Sequence, residues 1–398
     1  FPVYPAKFNL HIPGNECYIG VKSECYLEIE NKFNENAVFE LNLPERDGIK
    51  FEQSKYKIEL EANGRNTLEI PYILDDFIYY SAVISAIATL KSGETIPFEK
   101  EINAAFRGRS SIMWGENENY CEIINGPFNA VLSKQSNILS IHRLYGDSFS
   151  IYWSYPRLGK PFSIEFSKKK PDDIQCNRED DKVVLKAIYS SQDFKGLQLA
   201  SICKLSAGGI AEHYYELRNI GNTQTSDDIW LSDTFMLFLY KGVIPYDGRF
   251  IELDDTLHGG TSNWNSDKIT ENWLFAYGDK MTRGICWYKE EKVKFDNRNM
   301  FFEHNFGRLP AGACIRTKPV IVALGAFNDW QDFREFALKR VLNEKPSTTE
   351  HLYLTADNGN PFVNDNFKVS LKDFKNGYLS GEFILSSENK IFREHDIK

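Results

Sequence analysis

Along most of this chain apolar residues occupy every second position. In ECYLEIENKFNENAVFELNLP, Cys25, Leu27 and Ile29 fall on one side and Tyr26, Glu28 and Glu30 on the other. Side chains of an extended strand alternate between two faces, so this period builds sheets with one face buried. After the turn residues of NKFNEN the rhythm resumes with Ala37, Phe39, Leu41 and Leu43, and Pro44 closes the run. Tyr56, Ile58 and Leu60 follow, then Asn63-Gly64 as a turn, then Leu68, Ile70 and Tyr72. SAVISAIATLKSGETIPFEKEI repeats the scheme around Gly93. Short strands with turns at roughly ten-residue intervals predict a β-sandwich over residues 1–107.

AAFRGRSSIMWGE, with Gly108 at the joint, connects to a longer stretch of the same kind. Strand-length runs include DKVVLKAIYSS, LQLASICKLS, DIWLSDTFMLFLYKG and NWLFAYG. In EHYYELRNIGN, His213, Tyr215 and Leu217 share one face, Glu212, Tyr214, Glu216 and Arg218 the other, and Asn219 to Asn222 turn the chain. Residues 108–328 are therefore expected to form a large two-sheet sandwich. A helical period appears only in NDWQDFREFALKRVLNEKP, where Trp330, Phe333, Phe336 and Ala337 are spaced for a helix capped by Asp329 and ended by Pro346. Strand patterns return in EHLYLTADNGNPFVNDNFKVSLKDFKNGYLSGEFILSS, so residues 329–398 are predicted as a helix plus a small β segment. The fold class is all-β.

Two resemblances follow from these stretches. YLEIEN, then FELNLPERDGIKF, then YKIELEANGRNTLEI is similar to the immunoglobulin-like accessory domains that stand beside many carbohydrate-active modules. That likeness implies a domain that packs against a partner or spaces it. YCEIINGPFNAVLSKQSNILSIHRL, GGIAEHYYELRNIGN and FGRLPAGACIRTKPVIVALG together resemble the supersandwich domain of the galactose mutarotase-like superfamily, over residues 110–328. The superfamily holds aldose epimerases, domains of sugar hydrolases and polysaccharide lyases, and domains without known chemistry, so fold alone leaves function open. Its epimerases carry a histidine in an H-x-Y-F-N-L-like stretch. The matching place here is DDIWLSDTFMLF, which has none, so the resemblance transfers no catalytic residue.

Charge and composition exclude several classes. The chain of 398 residues carries a net charge of −9. Its one basic run, Lys168 to Lys170, is followed by Pro171, Asp172 and Asp173, which suits a solvated turn better than a nucleic-acid surface. The longest apolar run, YYSAVISAIATL from Tyr79, is too short to span a membrane as a helix. Seven scattered cysteines without a C-x-x-C predict buried reduced thiols and a reducing, cytoplasmic compartment. A cross-strand Cys17–Cys25 pair is the alternative, and secretion stays open if a leader was removed. The start at Phe1 and the end at Lys398 lead to the expectation of a piece of a longer protein with further domains. No H-E-x-x-H, cysteine cluster, D-x-D-x-D-G loop, G-x-G-x-x-G or G-x-S-x-G occurs, so neither a metal nor a cofactor is expected.

Three polar-aromatic patches and one strand histidine remain. The first patch, YWSYPRLGKPFSIEF, carries Trp153, Tyr155, Arg157, Lys160 and Glu165 and is broken by Pro156, Gly159 and Pro161, which predicts a loop. Rings beside Arg and Lys suit a sugar face with an acidic group; a packed loop over a sheet edge is the plainer alternative. The second, ELDDTLHGGTSNWNSD, brings Asp255, His258 and Trp264 close in sequence, where an aspartate can tune a histidine base. The third, FFEHNFGRL, holds Glu303 and His304, which face opposite ways on a strand. His213 sits on the more apolar face of its strand, as a satisfied core histidine or a catalytic one. The leading expectation is a non-catalytic carbohydrate-recognition or accessory module that binds a carbohydrate or another small polar ligand. The alternatives are a carbohydrate-active enzyme, epimerase or lyase, drawing acid and base from Glu165, His213, Asp255, His258 or Glu303, and a structural scaffold beside an enzyme domain.

Overall fold

A computed structural model describes residues 5–143, 151–153, 156–236, 241–253, 265–278, 281–291, 293–296 and 299–342, and beyond these the backbone of the strands between 363 and 391. Among the described residues the strand–strand ladders are antiparallel, a pairing that lets a sheet keep one face solvated.

The first hundred residues form two four-stranded sheets. One runs Ala6–His11, Ser23–Asn31, Arg65–Leu74, Ile49–Phe51, and the other Lys55–Leu60, Ala37–Asn42, Ile78–Leu90, Thr95–Phe106. Their facing sides close one core, in which Leu27, Ile29, Phe39, Ile70 and Ile84 are fully buried. Each such side chain contributes about 1.5–3 kcal/mol over an exposed one, so the apolar half of the alternation drives this layer pairing. Asn31, at the end of its strand, is buried as well. Its amide nitrogen donates to the Glu35 and Glu61 carbonyls at 2.9 and 2.8 Å, and its oxygen accepts from the Phe33 N–H at 2.9 Å. The turn NKFNEN is thus tied to its sheet by one side chain.

The joint to the central region is packed. The Cys17 N–H donates to the Arg107 carbonyl at 2.8 Å, and the Arg109 guanidinium meets Glu16 at 3.1 Å. Tyr79 lays its ring over Gly115, where a Cβ would lie 1.9 Å from it.

The central region pairs two larger sheets. The front sheet has nine strands, in the order Val293–Asp296, Asn299–Asn305, Trp230–Met236, Ile151–Trp153, Leu139–Arg143, Phe128–Ser133, Tyr120–Asn125, Ile112–Glu116, with Arg157–Leu158 also on Trp230–Met236. The back sheet has ten, in the order Asp173–Glu179, Lys182–Ser190, Leu197–Ser206, Ile210–Asn219, Val320–Leu324, Arg283–Cys286, Trp273–Tyr277, Lys241–Tyr246, Arg249–Leu253, with Cys314–Arg316 also on Ile210–Asn219. Ile123, Leu132 and Phe302 from the front meet Leu185, Leu199 and Leu217 from the back in one core. The strand expected in EHYYELRN is present as Ile210–Asn219. Asn219 repeats the device of Asn31: its amide donates to the Thr223 and Leu309 carbonyls at 2.8 and 2.9 Å and accepts from the Gly221 N–H at 3.0 Å.

Two expectations need correction. YWSYPRLGKPFSIEF is not a loop throughout, because Ile151–Trp153 and Arg157–Leu158 pair with Trp230–Met236. Pro156 and Pro161 fall outside the paired positions, so neither costs a ladder bond. The thiols are free, including Cys17 and Cys25, but not all are buried: Cys314 is exposed and Cys176 half-buried, 3.5 Å from the Cys121 sulfur.

Trp330–Ala337 is the helix, and Asp329 caps it by accepting from the Asp332 N–H at 2.9 Å. Phe333 is buried against the outer face of the back sheet, over Gly284. Arg334 fixes the helix by a two-toothed ion pair with Glu271, both contacts at 2.7 Å. Pro346 lies outside the described residues. Four strands, Val363–Asn364, Phe367–Lys375, Tyr378–Ser387 and Lys390–Ile391, make a last small sheet. No helix among the described residues is long and apolar enough to cross a membrane.

Gly115 tests the joint. Gly115→Ala forces the Tyr79 ring aside and is expected to cost about 1–3 kcal/mol, in the range of overpacked sites. In a thermal-denaturation double-mutant cycle with Tyr79→Ala the two losses should fall well short of adding; full additivity would show that the ring does not sit on residue 115.

Candidate functional site on the front sheet

The strand Trp230–Met236 divides its side chains by parity. Leu231 and Phe235 enter the core between the sheets, and Asp233 lies on that same side. Trp230, Ser232 and Thr234 stand on the outer face of the front sheet. Register then decides their company. Ser232 is opposite Arg157 on one side and Glu303 on the other. The outer hydroxyls are nearly inaccessible, and they hold the Arg157 guanidinium: its Nη2 donates to Ser232 Oγ at 3.3 Å and approaches Thr234 Oγ1 at 3.5 Å.

Gly159, in the left-handed region at φ 85°, turns the chain after Arg157–Leu158. Lys160 then lands 3.9 Å above the Trp230 ring and 3.3 Å from Glu303 Oε2. Lys294, on the neighbouring strand, meets the same carboxylate oxygen at 2.9 Å. Phe162 lies beneath both cations, 5.5 Å from the Arg157 centre and 5.7 Å from Lys160 Nζ. Burial pushes the Glu303 carboxyl up, but hydrogen bonds from Lys294 and Lys160 outweigh it and hold the group below its ordinary 4.5. It is therefore a permanent anion and hydrogen-bond acceptor at neutral pH. No second carboxylate or histidine bonds to it among the described residues.

The same face continues to the N-terminal joint. Asn129 Nδ2 donates to Glu122 Oε1 at 2.6 Å, and the Tyr79 hydroxyl comes within 3.5 Å of Glu122 Oε2. His142, directly opposite Asn129, lies 3.0 Å from Ser140 Oγ. Burial raises the Glu122 pKa and lowers that of His142, so each favours its neutral form. Trp230, Ser232, Thr234, Lys294, Glu122, Asn129 and His142 were missed by sequence reasoning. A signal was available for Glu122, Asn129 and His142, since each is a polar residue on the off-beat of a strand whose on-beat is apolar.

The remaining candidates are scattered. His213 is 1% exposed, inside the core, with Ser201 Oγ 2.9 Å from Nε2 and Asp233 Oδ2 3.4 Å from Nδ1. The Tyr215 hydroxyl donates to Asp233 Oδ1 at 3.0 Å. Burial, then the Asp233 charge, push the Tyr215 phenol far above its ordinary value. This group of four bridges the two sheets out of reach of solvent, and none of its members joins the outer cluster. Glu165 ties a loop, accepting from Ser191 Oγ and from the Gln192 N–H at 2.8 Å. His304, on the opposite side of its strand from Glu303, pairs with Glu291 at 2.7 Å. Tyr155, Asp255, His258, Trp264 and the Trp153 side chain lie outside the described residues. Among the described residues no three of His, Cys, Asp or Glu converge as metal ligands.

A recess of about 680 Å³ opens elsewhere, on the N-terminal sandwich, where Ile87, Pro97, Glu40 and Lys57 line it. It shares no residue with the clusters above, and its Lys57–Glu40 pair is an exposed surface bridge. The outer face of the front sheet has the stronger claim because its charges are held by hydroxyls, rings and one another.

No protein-family model matches the sequence, and no curated protein matches it. Among solved structures the chain is similar to a galactose mutarotase-like protein from Lactobacillus casei, at 11% identity, covering 54% of this chain and 100% of that one, with a TM-score of 0.33. A candidate aldose 1-epimerase from Klebsiella pneumoniae gives 10% identity, 70% and 94% coverage and a TM-score of 0.33. A TPR-domain containing protein from Parabacteroides distasonis gives 9% identity and a TM-score of 0.38; the match covers 64% of this chain and spans 56% of that chain's length. At these scores the likenesses decide nothing about chemistry, and the architecture stands on the strand pairings themselves.

Glu122 gives a pH test. In the unfolded chain it titrates near 4.5, and in the fold it titrates higher, so folding takes up a proton between the two values. Its contribution is complete below about pH 4.5 and is lost as pH rises through the folded pKa. Glu122→Gln should melt with the parent at pH 4 and a few degrees above it at pH 8. A variant that melts below the parent at pH 8 would show that the ionised carboxylate is needed in place.

Proposed function

We propose that the outer face of the front sheet is a carbohydrate-binding surface and that the chain acts as a recognition or accessory module, not as a catalyst. The observation that carries this reading is the Arg157–Lys160–Glu303 cluster on the rings of Trp230 and Phe162. Sugar hydroxyls need donors and acceptors fixed at short range, and their C–H faces need flat apolar surface. Arg157, held from below by Ser232, and Glu303 supply the first, and the two rings the second. Glu303 is clamped in its ionised form by two ammonium groups, which suits an acceptor and not a proton donor. The resemblance of residues 110–328 to the galactose mutarotase-like superfamily supports a sugar over other small polar ligands. Residues 1–107 are then an immunoglobulin-like spacer, residues 108–328 the recognition domain, and residues 329–398 an appended helix and small β segment.

A glycan array followed by titration calorimetry tests the reading. At least one mono- or oligosaccharide should bind, and Glu303→Gln or Trp230→Ala should weaken it by about tenfold, the loss of roughly 1.4 kcal/mol. An array without hits would sink the proposal. The non-catalytic part is tested separately: NMR exchange between galactose anomers should run no faster with the protein than in buffer, and clear acceleration would favour the enzyme reading.

A further inference from the structure

We infer that this surface takes a sugar carrying an anionic group, a carboxylate or a phosphate ester, with Arg157 and Lys160 as its anchors. The inference rests on the carbohydrate reading above and adds the class of ligand.

The charge count within the bonded cluster comes first. Among the described residues the cluster holds three cations, Arg157, Lys160 and Lys294, and one carboxylate, Glu303, an excess of two positive charges. The whole chain carries −9, so the patch runs against the overall charge. How Arg157 is held is the second point. Its partners are the neutral hydroxyls of Ser232 and Thr234 and the face of Phe162. No carboxylate pairs with it among the described residues, and its Nε is buried without a hydrogen-bond partner. Neutral partners fix the guanidinium in place without cancelling its charge. A guanidinium so oriented presents a planar fork that suits carboxylate and phosphate oxygens. Lys160 supports the same end: its ammonium is half-exposed, and a bound anion would share it with Glu303. A neutral hexose would gain less, because it could not repay the desolvation of an uncompensated guanidinium.

Calorimetric titration with D-galactose, D-galacturonate, D-galactose 6-phosphate and inorganic phosphate, at 50 and 300 mM salt, tests this. One of the two anionic sugars should bind at least tenfold more tightly than galactose, and high salt should narrow that gap. Which of them wins identifies the anionic group. Arg157→Gln should abolish the preference, and Lys160→Gln, at an exposed position, should reduce it with an unchanged melting temperature. Equal binding of galactose and both anionic sugars overturns the anionic class while the carbohydrate reading stands. Inorganic phosphate binding as tightly as galactose 6-phosphate overturns the sugar part of the claim. Absence of binding to all three sugars, together with an empty array, removes both proposals.

Discussion

The two sandwiches depend on burying one face of each sheet against a second sheet. A strand satisfies its backbone only sideways, through neighbours in its own layer, and this leaves both faces exposed. In the central region the facing layers contribute Ile123, Leu132 and Phe302 on one side and Leu185, Leu199 and Leu217 on the other. With these apolar residues turned inward, their strand neighbours are turned outward by geometry. The candidate binding surface is a by-product of that division: Ser232 is where it is because Leu231 has to be in the core.

Polar groups had to be satisfied in two different ways. Inside the core, Ser201, His213, Tyr215 and Asp233 answer one another across the sheets, and leaving any partner alone there would cost the desolvation of the rest. At strand ends, Asn31 and Asn219 each close a turn with three hydrogen bonds from one amide. Both devices stabilise the fold without offering anything to a ligand. On the outer face the arrangement differs. Arg157 rests on hydroxyls and a ring, and Glu303 is held by two lysines near the surface. Groups that are held and still reachable are the ones that can recognise a partner.

The histidines show how far chemistry-bearing residue types mislead when read singly. His213, on the more apolar face of its strand, was open as a core histidine or a catalytic one, and it lies 1% exposed between the layers. His142 attracted no notice, and it stands half-buried on the outer face beside Asn129. The difference is parity along the strand, and the apolar side of the alternation marks the face that turns inward.

Much of the architecture was open to reading from residues alone. The alternation in ECYLEIEN and AEHYYELRN, the turns at Asn63-Gly64 and Asn219 to Asn222, and the Asp329-capped helix all follow from local pattern, because local geometry sets which side chains share a face. The short strands Ile151–Trp153 and Arg157–Leu158 escaped because prolines and a glycine mask so short a pattern. Arg157, Lys160 and Glu303 were singled out in two separate stretches, but their meeting, and the Trp230, Ser232, Thr234 and Lys294 that hold them, escaped. Arg157 meets Ser232 across 75 positions, and Lys160 meets Glu303 across 143. Such meetings depend on strand order and register, and those are set by the burial of whole faces against distant partners. Sequence by itself determined that this chain would be layered sheets with a helix near its end. Only the packing of one layer on another decided which off-beat side chains would become neighbours.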